Sequence, residues 1–210
     1  MIEIMPPSIV YPHQDGLYIN LTNRCPVACS FCVKSAWKWS YRGHDLRLRR
    51  EPPAADIIEA LGDLKRHREL VFCGFGESTY RLEELKAVAR AARARGIRSI
   101  RLNTIGLANL IHRRDVVPDL VGLVDAASIS LNTADPDQWR EIHRPLTAYA
   151  GEGFSAATEF IRSAARLLPR AVVTAVDLPG VDIPRLQALA TELGASFKLR
   201  PQLRDEEARA

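Results

Sequence analysis

Three of the four cysteines in this 210-residue chain fall within one stretch of eight, Cys25-Pro-Val-Ala-Cys29-Ser-Phe-Cys32. Thiols this close cannot readily meet disulfide geometry, and an odd number leaves one over from any pairing. They can converge on one metal centre, and soft thiolates select zinc or iron–sulfur. A structural zinc site wants four ligands, and His13 and His44 do not stand at finger-like spacing from the triplet. A four-iron cluster held by three cysteines leaves one iron open to a substrate or cofactor, which favours the cluster over zinc or over bare thiols. The fourth cysteine, Cys73, ends an apolar run and reads as a small buried hydrophobe. With no cysteine left over, a second protein-bound cluster is excluded.

The elements that must position this nest alternate along the chain. Residues 17–22 have the period-two pattern and bulky side chains of a strand, so the nest begins where a strand ends. Residues 70–73, 99–103, 125–131, 171–177 and 196–200 give five more strand candidates. Between them run apolar stripes of helical period. Asp56 caps one carrying Ile57, Ile58, Leu61 and Leu64, and Gly96 stops the next, which carries Leu82, Leu85, Val88, Ala89 and Ala92. Asp135-Pro136 with Gln138 reads as an N-cap and capping box, Pro169 closes the stripe from Phe160 to Leu168, and Asp182 and Gly194 bracket the last. Repeated strand–helix units imply parallel strands with right-handed crossovers, as an open doubly wound sheet or an incomplete (β/α) barrel. In either, ligands gather at the C-terminal strand ends.

The pattern C-x3-C-x-Φ-C, with Phe31 as the aromatic and a strand directly before it, resembles the signature of the radical SAM superfamily. Other residues are similar to the family's motifs at matching places. Cys73-Gly74-Phe75-Gly76-Glu77 follows the second strand like the family's "GGE" turn, whose backbone groups hold the amino group of S-adenosylmethionine (SAM). Asn103-Thr-Ile-Gly106 follows the third, and Ser130-Leu131-Asn132 ends the fourth where such proteins contact the SAM ribose or carboxylate. The resemblance implies a partial (β/α)6 TIM-like barrel of six parallel strands. It also implies a [4Fe–4S] cluster on Cys25, Cys29 and Cys32, and SAM contacts from Phe31, Gly74, Phe75, Gly76, Glu77, Asn103, Ser130, Asn132 and Asp177. Arg144 is a further candidate for the SAM carboxylate. Glycine is expected at 74 and 76 because a backbone close to a cofactor has no room for Cβ and such turns often take positive φ. The implied activity is reductive cleavage of SAM to a 5′-deoxyadenosyl radical that takes hydrogen from a substrate, with electrons from a flavodoxin or ferredoxin type of donor. The strings 18–25, 74–77, 103–109 and 174–180 are similar to the TatD-associated radical SAM proteins, which implies a TatD-type hydrolase as functional partner.

The chain has 29 Lys+Arg against 25 Asp+Glu, a net charge of +4. Six of the cations (Lys34, Lys38, Arg42, Arg47, Arg49, Arg50) and one acid, Asp45, fall in residues 34–50, leaving 23 basic against 24 acidic residues elsewhere. That loop interleaves Trp37, Trp39 and Tyr41 with its cations, a combination that suits stacking on bases and pairing with phosphates. It equally suits a small anion or an acidic partner, or a solvated loop with its aromatics packed on the barrel, and +4 does not demand nucleic acid. Lys198 and Arg200 share a face of the last strand, toward a pocket or toward solvent. Two other classes stay open: a zinc-stabilised nucleic-acid-binding module using the same loop, and a non-catalytic iron–sulfur protein. The substrate is a small molecule or nucleic acid, with nucleotide-related chemistry one expectation. No run of eighteen apolar residues and no signal-peptide pattern is present, so a cytoplasmic protein without membrane association is expected. The expected layout is an extension at 1–16, a core at 17–203 with a cluster loop at 23–35 and the basic loop at 34–50, and a tail at 204–210.

Overall fold

A computed structural model describes residues 8–203; residues 1–7 of the expected extension and the tail at 204–210 lie outside the described residues. In chain order come β1 (Val10–His13), β2 (Gly16–Ile19), β3 (Ser40–Tyr41), β4 (His44–Asp45), α1 (Ala54–Ala60), β5 (Glu69–Phe72), α2 (Leu82–Ala94) and β6 (Ile100–Thr104). There follow α3 (Ala108–His112), α4 (Val117–Leu120), β7 (Ala126–Ser130), α5 (Pro136–His143), α6 (Thr147–Ala150), α7 (Gly153–Leu167), β8 (Arg170–Val176), α8 (Ile183–Glu192) and β9 (Ser196–Arg200). Seven strands make one sheet in the order β1-β2-β5-β6-β7-β8-β9, with β3 and β4 a separate hairpin. The six expected strands are present and mutually parallel. β1 and β9 end the sheet without pairing to each other, so the barrel is partial.

A seventh strand, β1, lies within the stretch expected as an extension. β1 pairs antiparallel with β2, from Val10↔Ile19 to His13↔Gly16. Pro12 lowers the strand signal of this segment, yet an edge strand tolerates proline because one side of its backbone needs no partner.

Alternation along the strands sets the two faces of the sheet. In β6, Ile100, Leu102 and Thr104 are buried while Arg101 and Asn103 are half-exposed on the opposite face. The apolar face packs under the helices: Phe72, Leu102 and Ile129 from the sheet join Leu85 and Val88 of α2 and Phe160 and Ile161 of α7 in one core. A fully covered parallel strand reads as an unbroken apolar run, so polar residues at alternate positions signal a cavity on the inner face.

Local signals behave as their chemistry dictates, with two corrections. Asp135 accepts from the amides of Asp137 and Gln138, and Asp182 from that of Arg185, as N-caps do. Gln138 does not complete a capping box; its side chain instead accepts a hydrogen bond from Thr133 Oγ1. α1 begins at Ala54 without a side-chain cap, which leaves Asp56 in the first turn, where a negative charge favours the helix dipole.

Candidate active site

The cysteine nest leaves the C-terminal end of β2 and is tied down on three sides. Asn23 makes a two-point contact with Leu48, donating Nδ2 to its carbonyl at 2.7 Å and accepting its amide at 3.1 Å. Thr22 Oγ1 and Arg24 both donate to Glu51, and the buried Arg81 reaches Glu51, Glu84 and the Pro52 carbonyl. On the far side the loop zips along the end of α5: the amide of Ala28 donates to the carbonyls of His143 and Arg144, that of Ser30 to Ile142, and that of Leu146 to Pro26.

The glycine turn after β5 forms the third side. The Glu77 amide donates to the Arg24 carbonyl at 2.7 Å. A Cβ on Gly76 would stand 2.1 Å from the Thr22 carbonyl oxygen and 2.7 Å from that of Arg24; one on Gly74 would stand 2.3 Å from Asn20 Oδ1. Neither glycine has a positive φ, in contrast to expectation. Close approach to the chain leaving β2, at Asn20 for Gly74 and at Thr22 and Arg24 for Gly76, is what requires glycine at both positions. The Glu77 side chain is buried. Its Oε1 accepts from Thr79 N, Thr79 Oγ1 and Thr104 Oγ1, and its Oε2 accepts from the Ile105 amide at 2.8 Å. Burial pushes this carboxyl up, against the pull of those donors. Glu77 therefore clamps the turn after β5 to the turn after β6.

The sequence reading passed over His143. It lies fully buried at the end of α5, tilted against Trp139 with ring centroids 4.9 Å apart, and edge-on to Phe31 at 6.3 Å. Its Nδ1 is 3.3 Å from Cys29 Sγ, and its Nε2 is 3.2 Å from both Asn132 Nδ2 and the Leu131 carbonyl. Burial pushes its pKa down to about 4, so the ring is neutral. Asn132, expected at the SAM ribose or carboxylate, is completely buried at φ 63°, with Oδ1 accepting from the Val176 amide. The run Ile-His-Arg-Pro is visible in the sequence, but nothing local tells that it lies along the cysteine loop.

The other expected residues divide. Phe31, Gly74, Phe75 and Asn103 line one cavity of about 720 Å3 on the inner face of the sheet. Ser130 is half-buried beside it, 3.4 Å from Thr174 Oγ1 and within reach of Arg200 Nη2. Asp177 and Arg144 are exposed, Asp177 past the end of β8 and Arg144 as the left-handed cap of α5. Lys198 and Arg200 face this cavity, which settles the question of their side. Cys73 lines it as well, its pKa raised by burial. The basic loop folds over the same mouth. Trp37 is buried and stacked on Tyr41, Trp39 meets Phe75 edge-on at 6.1 Å, and Lys34 lies over the Trp39 ring.

The donor set suits an iron–sulfur cluster in its chemistry and in its position. All three thiols are free, with Cys25 and Cys29 half-buried and Cys32 exposed. Burial pushes Cys25 up to about 11 and raises Cys29 also, and in both cases a neighbouring cysteine adds to the shift. Neutral thiols are the expected state there until a metal supplies the charge that makes thiolates favourable. Among the described residues no group of three His, Cys, Asp or Glu side chains is arranged to hold a metal ion. Asn20 offers a buried Oδ1 without a partner at Gly74, an acceptor suited to an ammonium group.

No helix among the described residues is long and apolar enough to cross a membrane. No curated protein matches the chain significantly in sequence. Among solved structures, SuiB of Streptococcus suis bound to S-adenosylmethionine matches with a TM-score of 0.68 and 16% identity over 93% of this chain and 42% of that one. A radical SAM methyltransferase from Sphaerobacter thermophilus matches at 0.58 and 16% over 91% and 68%, and the FeFe-hydrogenase maturase HydG of Carboxydothermus hydrogenoformans at 0.63 and 16% over 93% and 46%. The chain thus spans about two fifths of the SuiB chain, and at these identities the likeness is one of fold. The family model for the Radical SAM superfamily matches residues 19–193, from the last residue of β2 to the turn after α8. With that match covering the cysteine loop, the glycine turn and strands β5 to β8, the chain belongs to the radical SAM superfamily, whose enzymes use a [4Fe–4S] cluster and S-adenosylmethionine.

Proposed function

We propose that Cys25, Cys29 and Cys32 of this chain hold a [4Fe–4S] cluster and that SAM binds between the cluster and the inner-face cavity. When bound, the cluster supplies one electron that splits SAM into methionine and a 5′-deoxyadenosyl radical able to take hydrogen from an unactivated C–H bond. The chain's own residues position and enclose. Gly76 allows the turn to lie against the start of the cysteine loop, Gly74 allows it to pass Asn20, and the unpartnered Asn20 Oδ1 accepts from the amino group of SAM. Phe31 and Phe75 exclude water, while Asn103 contacts the adenosyl part from β6. The carrying observation is the set of three free thiols on one loop at the end of the first parallel strand, within the matched family region.

The substrate reading favours a small molecule. Trp37 is buried and stacked on Tyr41, and Trp39 meets Phe75 edge-on, which supports a small molecule over a nucleic-acid strand. The four strings that resemble the TatD-associated proteins support that subgroup, with a TatD-type hydrolase as functional partner and a flavodoxin or ferredoxin type of protein as reductant.

Anaerobic reconstitution with iron and sulfide, followed by chromatography for 5′-deoxyadenosine after adding dithionite and SAM, tests the reading. The expected result is slow product formation in the wild type and none in Cys29→Ala. A chain that takes up zinc and no iron, or a fully loaded four-iron protein that never yields 5′-deoxyadenosine, overturns it.

A further inference from the structure

The polar inner face of the sheet carries more positive charge than the protein itself neutralises. Four cations line the cavity, Arg101, Arg170, Lys198 and Arg200, against one acid, Glu69. Glu69 belongs to Arg101: its two oxygens accept from Nη2 at 2.7 Å and from Nε at 3.1 Å. Arg101 also donates to Tyr18 Oη and Asn103 Oδ1. Among the described residues no carboxylate lies within ion-pair distance of the other three.

Arg200 is the telling member. It stands at the C-terminal end of β9 in register with Val176, the same end of the sheet as the cysteine loop and the glycine turn. Among the described residues its guanidinium makes one hydrogen bond, a 3.3 Å contact from Nη2 to Ser130 Oγ, and its Nε is buried with no partner. Burial and the nearby Arg101 both disfavour the charged guanidinium. A cation withdrawn from water with open donors is costly unless an acceptor arrives. The guanidinium fork matches a carboxylate or phosphate through two parallel hydrogen bonds. Tyr11 and Tyr18 line the same cavity, their rings tilted by 36° to one another with centroids 5.5 Å apart. The volume of about 720 Å3 falls in the range of small-molecule sites.

We infer that the inner-face cavity binds a small organic anion, its carboxylate or phosphate held by Arg200 with Lys198 on the same strand face, and its organic part on the side lined by Tyr11 and Tyr18. The inference deepens the proposed function, since it names the substrate class of a site whose cluster end is assigned there. The reacting C–H would lie toward Phe31, Gly74 and Phe75, which line the same cavity.

The test is calorimetric titration of the anaerobically reconstituted, unreduced protein, kept at saturating SAM, with phenyl phosphate, benzoate and neutral benzamide. One or both anions bind and benzamide does not; which anion binds tells phosphate from carboxylate. Arg200→Gln weakens anion binding at least tenfold, about 1.4 kcal/mol, and Arg200→Lys recovers only part because the fork is lost. Lys198→Gln, a change on an exposed side chain, weakens it less and serves if Arg200→Gln fails to fold by circular dichroism. Equal binding of benzamide, unaltered binding in both variants, or anion binding seen only without SAM overturns the inference. Anion binding through Arg200 in a protein that makes no 5′-deoxyadenosine sinks the proposed function alone, and turnover of SAM without anion binding sinks this inference alone.

Discussion

Nδ1 of His143 stands 3.3 Å from Sγ of Cys29, although 114 residues separate them in sequence. The neighbours of the ring allow two proton positions. With the proton on Nε2, the ring donates to the Leu131 carbonyl and Nδ1 accepts from the Cys29 thiol. With the proton on Nδ1, the ring donates to a thiolate and Nε2 accepts from Asn132, whose amide is oriented by the Val176 N–H bond to its Oδ1. The first arrangement suits a free thiol and the second a metal-bound thiolate, so the same buried ring serves both without becoming charged.

His143→Phe keeps an aromatic ring beside Trp139 and removes the donor. A thiolate that loses a hydrogen bond is richer in electrons, and hydrogen bonds to the sulfurs help set cluster potentials. The variant is expected to load iron and to lower the reduction midpoint by up to about 60 mV, the one-electron equivalent of ~1.4 kcal/mol. A redox titration followed by electron paramagnetic resonance reads this directly, and an unmoved midpoint refutes the role given to His143.

Gly76→Ala is expected to disturb the cysteine loop more than Gly74→Ala. The new methyl on 76 meets only backbone, at 2.1 Å and 2.7 Å, whereas on 74 it meets a side-chain amide that can turn. Iron per chain after reconstitution should fall well below that of the wild type for Gly76→Ala and less for Gly74→Ala. Equal loading of all three proteins would show that the turn and the loop are not coupled.

Glu77→Gln preserves size but puts an amide N–H2 where one of two accepting oxygens stood. An N–H of Ile105 or the hydroxyls of Thr79 and Thr104 then lack an acceptor in a fully buried place. The expected cost is about 1–3 kcal/mol, with roughly 2–4 °C of melting temperature lost per kcal/mol in a chain of this size. A melting curve that overlays the wild type would remove Glu77 from the structural framework and return it to the cofactor.

Asp119 gives a pH signature away from the site. Hydrogen bonds from Arg114 and Lys86 hold its carboxyl at about 2, below its ordinary 3.8. The depressed value in the folded state means that its contribution is whole above the ordinary carboxylate range and is lost as pH falls through about 2. Glu83, which also pairs with Lys86, and Asp115 share the neighbourhood. Acid unfolding followed by circular dichroism should therefore be shallower between pH 4 and 2 in Asp119→Asn, and an unchanged slope there refutes the assignment.

The amino-acid sequence alone was enough for the chemistry-bearing nest, the six parallel strands and most helix ends, because each rests on short-range physics. Thiol spacing within eight residues, period-two alternation and the caps at Asp135, Asp182, Gly96 and Gly194 are all readable over a few neighbouring positions. The polar residues at alternate strand positions, Arg101 and Asn103 or Lys198 and Arg200, were equally visible, but whether they faced solvent or a cavity required the curvature of the whole sheet. Tertiary structure alone decided the rest. It placed His143 on Cys29 by zipping the end of α5 along the cysteine loop, buried Asn132 and Glu77 as clamps, turned Asp177 to solvent, and explained Gly74 and Gly76 by packing. It also recruited Val10–His13 as an edge strand despite Pro12. Each of these depends on which distant segment lies opposite, and that is fixed by burying apolar surface across the entire domain, a global quantity that no local pattern carries.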